Sequence, residues 1–456
     1  MKSLLIRGGR IIDPARGIDE IGSLLIGEGK VLWLGKVDAK PPQPEYDVLS
    51  AAGLTVCPGF IDLHCHLRQP GFEAKETIAT GAQAAARGGF TTVCCMPNTN
   101  PPLDSRETIE FVKAEAAKVG IVRVLPIGCV TKGRAGKELA PLSELSAAGA
   151  IGFSDDGSPV PTSQLMMSAL RSGRILNMPI IDHCEDTGLT KGGVMNWGSL
   201  SISLGLKGMP AAAEDIMVAR DVNLAGLTGS WVHICHVSTA GSVDIIRRAK
   251  KAGVRVTAEV TPHHLTLTEA KVAGYDTNAK VNPPLRTEED VKALIQGLKE
   301  GVIDIIATDH APHTAAEKAL GFDKSPSGIS GLETALGSLM SLVHSGQLDL
   351  KLIISKLTAE PAGILGDRQG FTLKVHPEGR LGSLAIGSPA DVCIFDPGKE
   401  WLVDPAKFAS KGKNTPLAGS TLKGKVMATI YGGKLVYCDD SIKVQEPKKE
   451  TLAKSD

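Results

Sequence analysis

The sequence predicts an α/β protein: a (β/α)8 barrel of the TIM type with a small β domain formed from both chain termini. Three observations predict it. Between residues 58 and 365, eight short apolar runs alternate with segments of helical period, as parallel strands and their covering helices do. On either side of that stretch the pattern turns β-rich. A chain of 456 residues exceeds one ordinary compact domain but suits a large barrel with a smaller module.

In chain order, short strands are predicted at 3–7, 11–12, 22–26 and 31–34, and the pattern changes at Cys57-Pro58-Gly59. The eight runs then fall at 59–66, 91–96, 122–129, 150–154, 179–183, 231–237, 255–260 and 303–308. Helical periodicity separates them, for example at 75–87, 106–118, 243–252 and 288–298. The 51 glycines and 27 prolines supply the tight turns that such alternation needs. Beyond residue 365, strands are predicted at 391–395, 426–431 and 434–436. The domain reading is therefore 1–57 with 366–440 as the β-rich domain and 58–365 as the barrel, leaving 445–456 as a polar, disordered tail.

Composition narrows the function. Lys plus Arg and Asp plus Glu are 50 each, so no net field draws in nucleic acid or an anionic membrane, and a small-molecule ligand is expected. No stretch approaches the ~20 apolar residues of a membrane span, and the N-terminal apolar run is too short for a signal sequence. A cytoplasmic location is expected. The nine cysteines include no Cys-x-x-Cys pair and mostly lie in apolar runs, which reads as buried thiols rather than disulfides or a thiolate metal site.

Chemistry concentrates at the strand ends, where a barrel places its active site. The first run ends in His64-Cys65-His66. Residues two apart on a strand face one side, so both imidazoles can reach one ion while Cys65 points away. The fourth run ends at Asp155-Asp156, the fifth at Asp182-His183-Cys184-Glu185, the sixth at His233-Ile234-Cys235-His236 and the eighth at Thr308-Asp309-His310. Imidazoles and carboxylates at five strand ends converge on one rim, and such N/O ligation suits Zn2+, with Mn2+ or Co2+ as alternatives. Other polar residues read differently. His233 should pack in the core, Asp155 should bond nearby backbone, and Asp62 should support a ligand histidine. His263 and His264 should lie in a structural or supporting loop, and His344 and His376 on the surface.

These residues resemble the amidohydrolase superfamily and, within it, the dihydroorotase family in its long bacterial form. The resemblance covers essentially the whole chain. It is carried by Asp62-Leu63-His64-Cys65-His66-Leu67-Arg68-Gln69-Pro70-Gly71, Gly88-Gly89-Phe90-Thr91-Thr92, Met96-Pro97-Asn98-Thr99, His236-Val237-Ser238-Thr239, Val260-Thr261-Pro262-His263-His264, Asn282-Pro283-Pro284-Leu285-Arg286 and Ala307-Thr308-Asp309-His310-Ala311-Pro312-His313.

By that resemblance, His64, His66 and Asp309 hold one metal, and His183 and His236 a second. Asp156 bridges them where many relatives use a carboxylated lysine. The implied cofactor is Zn2+, one or two ions per chain with two preferred. Such an ion brings the pKa of bound water towards ~7, and Asp309 would move the proton from that water to the leaving ring nitrogen. His66, Arg68, Asn98, Asn282, His313 and the backbone at Ser327-Gly328 would meet substrate. Arg68, two residues beyond His66, can clamp a carboxylate with two hydrogen bonds.

The implied reaction is the reversible closure of N-carbamoyl-L-aspartate to L-dihydroorotate in pyrimidine synthesis. Two alternatives stay open: another cyclic amidohydrolase, such as a hydantoinase or allantoinase, and an inactive scaffold homologue. Arg68 and the filled ligand positions separate them. The partners the resemblance implies are a second copy of the chain and aspartate transcarbamoylase. The stretch 314–330 reads as a lid.

Overall fold

Alternating apolar residues from the two ends of the chain meet in one sheet. The computed structural model describes residues 3–43, 45–366 and 381–445. Ser3–Asp13, Ile18–Gly27 and Lys30–Gly35 form an antiparallel meander. Thr55–Pro58 lies parallel to the first of these and antiparallel to Val392–Leu402, which continues into Thr421–Tyr431 and Lys434–Cys438. Tyr46–Ser50 lies parallel to Ser3–Asp13 and pairs with Val444–Gln445. Ile6, Ile11, Leu24, Val56, Val392, Ile394 and Ile430 fill its core.

The runs predicted at 3–7 and 11–12 are thus a single strand. Gly8-Gly9 reads as a turn, but Gly8 at φ 74° makes a bulge between Arg7 and Gly9, and pairing resumes beyond it. The short strands Tyr46–Ser50 and Thr55–Pro58 are additional to the predicted ones. The expectations for His376 and for the tail from residue 446 fall outside the described residues. Gln445, assigned to that tail, is instead paired.

In the central part of the chain, seven of the eight predicted runs contain a strand, all in parallel pairs. Phe60–Cys65, Phe90–Cys95 and Arg123–Pro126 form one sheet. Ile180–Asp182, Val232–Ile234, Val256–Val260 and Ile305–Ile306 form another. The run at 150–154 makes only the isolated bridges of Phe153 to Gly128 and to Ile180. A further parallel bridge joins Cys65 to His310. Helices begin where side chains can cap them: Thr77, Ser105, Thr239 and Thr287 each accept a backbone N–H from the first turn. Among the described residues, no helix is long and apolar enough to cross a membrane.

Phe60 joins the two parts. Its ring meets Phe90 edge-on at 5.6 Å and Phe395, from the terminal sheet, at 6.4 Å. It is fully buried, so Phe60→Ala should lower stability by about 3–5 kcal/mol. Urea unfolding followed by circular dichroism measures this; a loss below about 1 kcal/mol would mean the contact is not a packed junction.

Candidate metal centre

Strand alternation directs His64 and His66 to the same side, with ring centroids 5.3 Å apart. The backbone keeps its course past the strand because His66 N–H donates to the His310 carbonyl at 2.8 Å. The eighth run ends beside the first, and Asp309 follows it at φ 46°, a left-handed conformation that non-glycine residues rarely adopt. His236 ends the sixth run at φ 29°.

All six predicted ligands come together. His66 Nε2 lies 2.9 Å from Asp309 Oδ1 and 3.4 Å from Asp156 Oδ2. His64 Nε2 lies 3.4 Å from Asp156 Oδ1 and 3.5 Å from Asp309 Oδ1. His236 Nε2 and His183 Nδ1 stand 3.5 and 3.7 Å from the same Oδ1, and 2.8 Å from each other. Asp156 therefore faces four imidazoles, three through Oδ1 and His66 through Oδ2. His64 Nε2 and Asp156 Oδ1 are buried without any hydrogen-bond partner, a costly state for such atoms. A cation among them would satisfy both, and four imidazoles with two carboxylates are a donor set for a divalent borderline metal. The residues fit the ion.

The charges point the same way. Burial alone would raise the Asp309 carboxyl, but the charge on His64 and the hydrogen bond from His66 outweigh it and hold it well below the ordinary range. Burial likewise opposes charge on His183, yet Asp156 and Glu185 raise it to about 10. The cluster is built for extra positive charge.

Three of the four ring nitrogens turned away from the cluster have their own acceptors, while His236 Nδ1 is buried without one. His64 Nδ1 meets Glu259 Oε1 at 2.5 Å, His66 Nδ1 meets Asn98 Oδ1 at 2.9 Å, and His183 Nε2 meets Glu185 Oε2 at 2.9 Å. Acceptors of this kind fix the tautomer and aim the opposite nitrogen inward. Glu259 and Glu185 carry these roles without having been predicted to. A charged residue inside the apolar strand Val-Thr-Ala-Glu-Val was the signal for Glu259, and position two after His183 was the signal for Glu185.

Asp62 differs from expectation: its carboxylate accepts from Thr308 N, Thr308 Oγ1 and His64 N, so it supports backbone rather than an imidazole. Asp155 accepts from Val130 N and Thr131 N, as expected. His233 packs in the core against Thr257 and Glu259. His263 and His264 sit on a short helix, Pro262–Thr266, rather than in a loop. His344 is exposed and reaches the Pro397 carbonyl.

The residues expected to meet substrate form a connected chain. Arg68, at φ 62° and nearly buried, donates from Nε to the Pro312 carbonyl at 3.3 Å. Its terminal nitrogen is 3.4 Å from His313 Nε2, but that nitrogen donates to the Ser327 carbonyl at 2.9 Å and so cannot accept from Arg68. Burial lowers the Arg68 guanidinium to about 10, against the pull of Asp309 and Asp156. Burial, then the charge of Arg68, lowers His313 to about 3 and keeps it neutral. Ser327 and Asn282 line a cavity of about 500 Å3 together with Glu185, Lys191 and Met209. Asn282 Nδ2 donates to Glu185 Oε2 at 2.9 Å. The backbone of Gly328 is already engaged, its N–H by the Lys280 carbonyl and its own carbonyl by Asn414. The 314–330 stretch carries the helix Ala315–Lys318, and Lys318 Nζ ties it to the Thr277 and Pro326 carbonyls, each at 2.8 Å.

Comparison with known proteins adds two kinds of likeness. A family model described as dihydro-orotase-like matches residues 53–242. The dihydroorotase of Pelotomaculum thermopropionicum is 52% identical over 441 residues, spanning 96% of this chain and 100% of that protein. That of Geobacter sp. strain M21 is 49% identical over 436 residues, 95% of this chain and 99% of the relative. Among solved structures, the L-hydantoinase of Arthrobacter aurescens aligns with a TM-score of 0.84 at 24% identity over 98% of both chains. The dihydropyrimidinase of Brevibacillus agri aligns at 0.80 and 22% over 97% of both. At such identities the structural likeness is one of fold.

If Glu259 aims His64, Glu259→Ala should weaken metal binding about 10–100-fold while the protein stays folded. Competition against a chromophoric chelator gives the affinity; an unchanged affinity in a folded variant would remove Glu259 from the centre.

Proposed function

The chain belongs to the dihydroorotase family, and from that premise we propose that it catalyses the reversible, metal-dependent closure of N-carbamoyl-L-aspartate to L-dihydroorotate and water, in de novo pyrimidine synthesis. The observation that carries this reading is the ligand cluster around Asp156, with the buried guanidinium of Arg68 in the segment that follows the strand Phe60–Cys65, two residues beyond His66. We read the architecture as a (β/α)8 barrel over 58–365 with a small β domain from 1–57 and 366–440. The terminal sheet and the bridges of Phe153 and Cys65 support that division.

His64, His66 and Asp309 would hold one zinc ion and His183 and His236 another, with Asp156 between them. When bound, such ions supply Lewis acidity that makes water nucleophilic at neutral pH and polarises the ring amide carbonyl. The rest falls to the chain. Asp309, held ionised, takes a proton from the attacking water and returns it to the ring nitrogen as the C–N bond breaks; ring closure runs the same transfers backwards. Glu259, Asn98 and Glu185 keep the ligand imidazoles in one tautomer throughout.

Arg68 is the specificity element. Among the described residues its hydrogen-bond partner is the Pro312 carbonyl, with a neutral histidine beside it, while Asp309 and Asp156 act on it only through space, so a substrate carboxylate would complete its hydrogen bonding. Dihydroorotate carries one and plain hydantoins do not. His66, Asn98, Asn282, His313 and the Ser327-Gly328 backbone complete the contacts in this reading. Cytoplasmic location goes with a biosynthetic step on small molecules, and a homodimer or a complex with aspartate transcarbamoylase rests on the family resemblance.

The direct test follows dihydroorotate hydrolysis on metal-analysed protein, with hydantoin and allantoin alongside. Turnover of dihydroorotate that chelation abolishes and zinc restores is expected. Opening of hydantoin or allantoin alone would place the chain with other cyclic amidases, and metal-loaded protein inert on all three would make it a scaffold. Arg68→Met should weaken dihydroorotate binding by about 2–5 kcal/mol; steady-state kinetics with unchanged KM and kcat would rule out the carboxylate clamp.

A further inference from the structure

Between the strands Val392–Leu402 and Thr421–Tyr431, residues 410–414 leave the terminal sheet and run behind His313. Asn414 is buried there, and its amide is fully used. Nδ2 donates to the Ala311 carbonyl at 3.0 Å and to the Gly328 carbonyl at 2.9 Å. Oδ1 accepts from His313 N at 2.9 Å and shares the single proton of Ser330 Oγ, also 2.9 Å away, with the Gly412 carbonyl. Its main-chain carbonyl accepts from Ser330 N at 2.8 Å. A primary amide has two donors and one oxygen with two lone pairs, so every capacity is filled. The partners belong to two different loops, one carrying His313 and the other Ser327-Gly328.

The rest of the segment is fixed as closely. A Cβ on Gly412 would fall 2.3 Å from Pro312 Cβ, so only glycine lets the chain pass this near. Pro312 is the residue whose carbonyl holds Arg68 Nε. At the other end, Ser410 Oγ and Lys411 N donate to the Glu76 carboxylate, which also takes His310 Nε2 at 3.2 Å.

We propose that Asn414 is a positioning residue for substrate binding: it sets the separation of the His313 loop from the Gly328 loop, and with it the place where the substrate carboxylate meets Arg68. This rests on the reading of Arg68, His313 and Gly328 as substrate contacts. Because the segment touches none of the six metal-site residues through Asn414, its effect should fall on binding and spare the chemical step.

The test uses the full-length, metal-loaded protein and dihydroorotate. Asn414→Ala should raise KM about tenfold or more, with kcat within about threefold of the parent and bound metal unchanged. Gly412→Ala, which leaves the amide in place but presses on Pro312, should raise KM in the same way, and it decides the matter alone if Asn414→Ala does not fold. Unchanged KM in folded variants, or a fall in kcat with loss of metal at constant KM, would overturn the assignment. A parent enzyme inactive on dihydroorotate would overturn the functional reading itself; an active parent with indifferent variants overturns this inference only.

Discussion

Three hydrogen bonds to one buried carboxylate bring the proposed metal-binding residues into register. Asp62 accepts from Thr308 N and Thr308 Oγ1 on the eighth run and from His64 N on its own. The first and last runs of the central part are thereby held side by side, and His64 and His66 face Asp309. Burial pushes the Asp62 carboxyl up to about 7 against these hydrogen bonds, so this is a group the fold holds at a cost. A slip of one residue in either run would turn the ligand face away, because alternate residues point to opposite sides. The left-handed turns at His236, Asp309 and Arg68 are the local expense of the same arrangement, tolerated where the surroundings over-determine them.

The proposed ligands were legible in the sequence because polar residues at the ends of apolar strands have few reasons to exist. His64, His66, Asp156, His183, His236 and Asp309 each stand at such an end. The residues that aim them were less legible. Glu259 meets His64 across 195 positions of sequence, and nothing local distinguishes an acid in a strand that supports a ligand from one that packs against a neighbour. Asp62 was marked for the right neighbourhood but the wrong atoms, since spacing tells which face a side chain takes and not whether it finds a ring or a peptide N–H. The terminal strands were missed or divided where glycine and proline carry two meanings. Gly8-Gly9 reads as a turn yet serves as a bulge, and a four-residue strand such as Thr55–Pro58 is too short for periodicity to declare itself.

The likeness to hydantoinases in fold and to dihydroorotases in sequence separates two layers of design. A fold is shared at 22–24% identity, and a fold at that distance does not determine substrate. In the proposed reading, the environment of Arg68 is what discriminates. Its neighbour His313 is kept neutral, with its proton committed to the Ser327 carbonyl, so the imidazole adds no positive charge beside the guanidinium, which Asp309 and Asp156 act on through space. An arginine so placed has its orientation set before substrate arrives, and less ordering is left to oppose binding.

That preorganisation does not originate in the barrel segments alone. Pro312, which receives Arg68 Nε, abuts Gly412; His313 N and the Gly328 carbonyl are joined by Asn414; and Glu76 links Ser410 to His310 beside Asp309. The segment making these contacts is strung between two strands of the sheet that also contains the chain's first residues. The terminal sheet therefore has a reason to exist beyond packing Phe395 against Phe60. Loops at the mouth of a barrel are its least constrained parts, and a site that must hold a charged ring substrate needs them fixed from outside. Anchoring one return segment in a nine-stranded sheet supplies a rigid support for that purpose, which ties the terminal strands to the proposed substrate site.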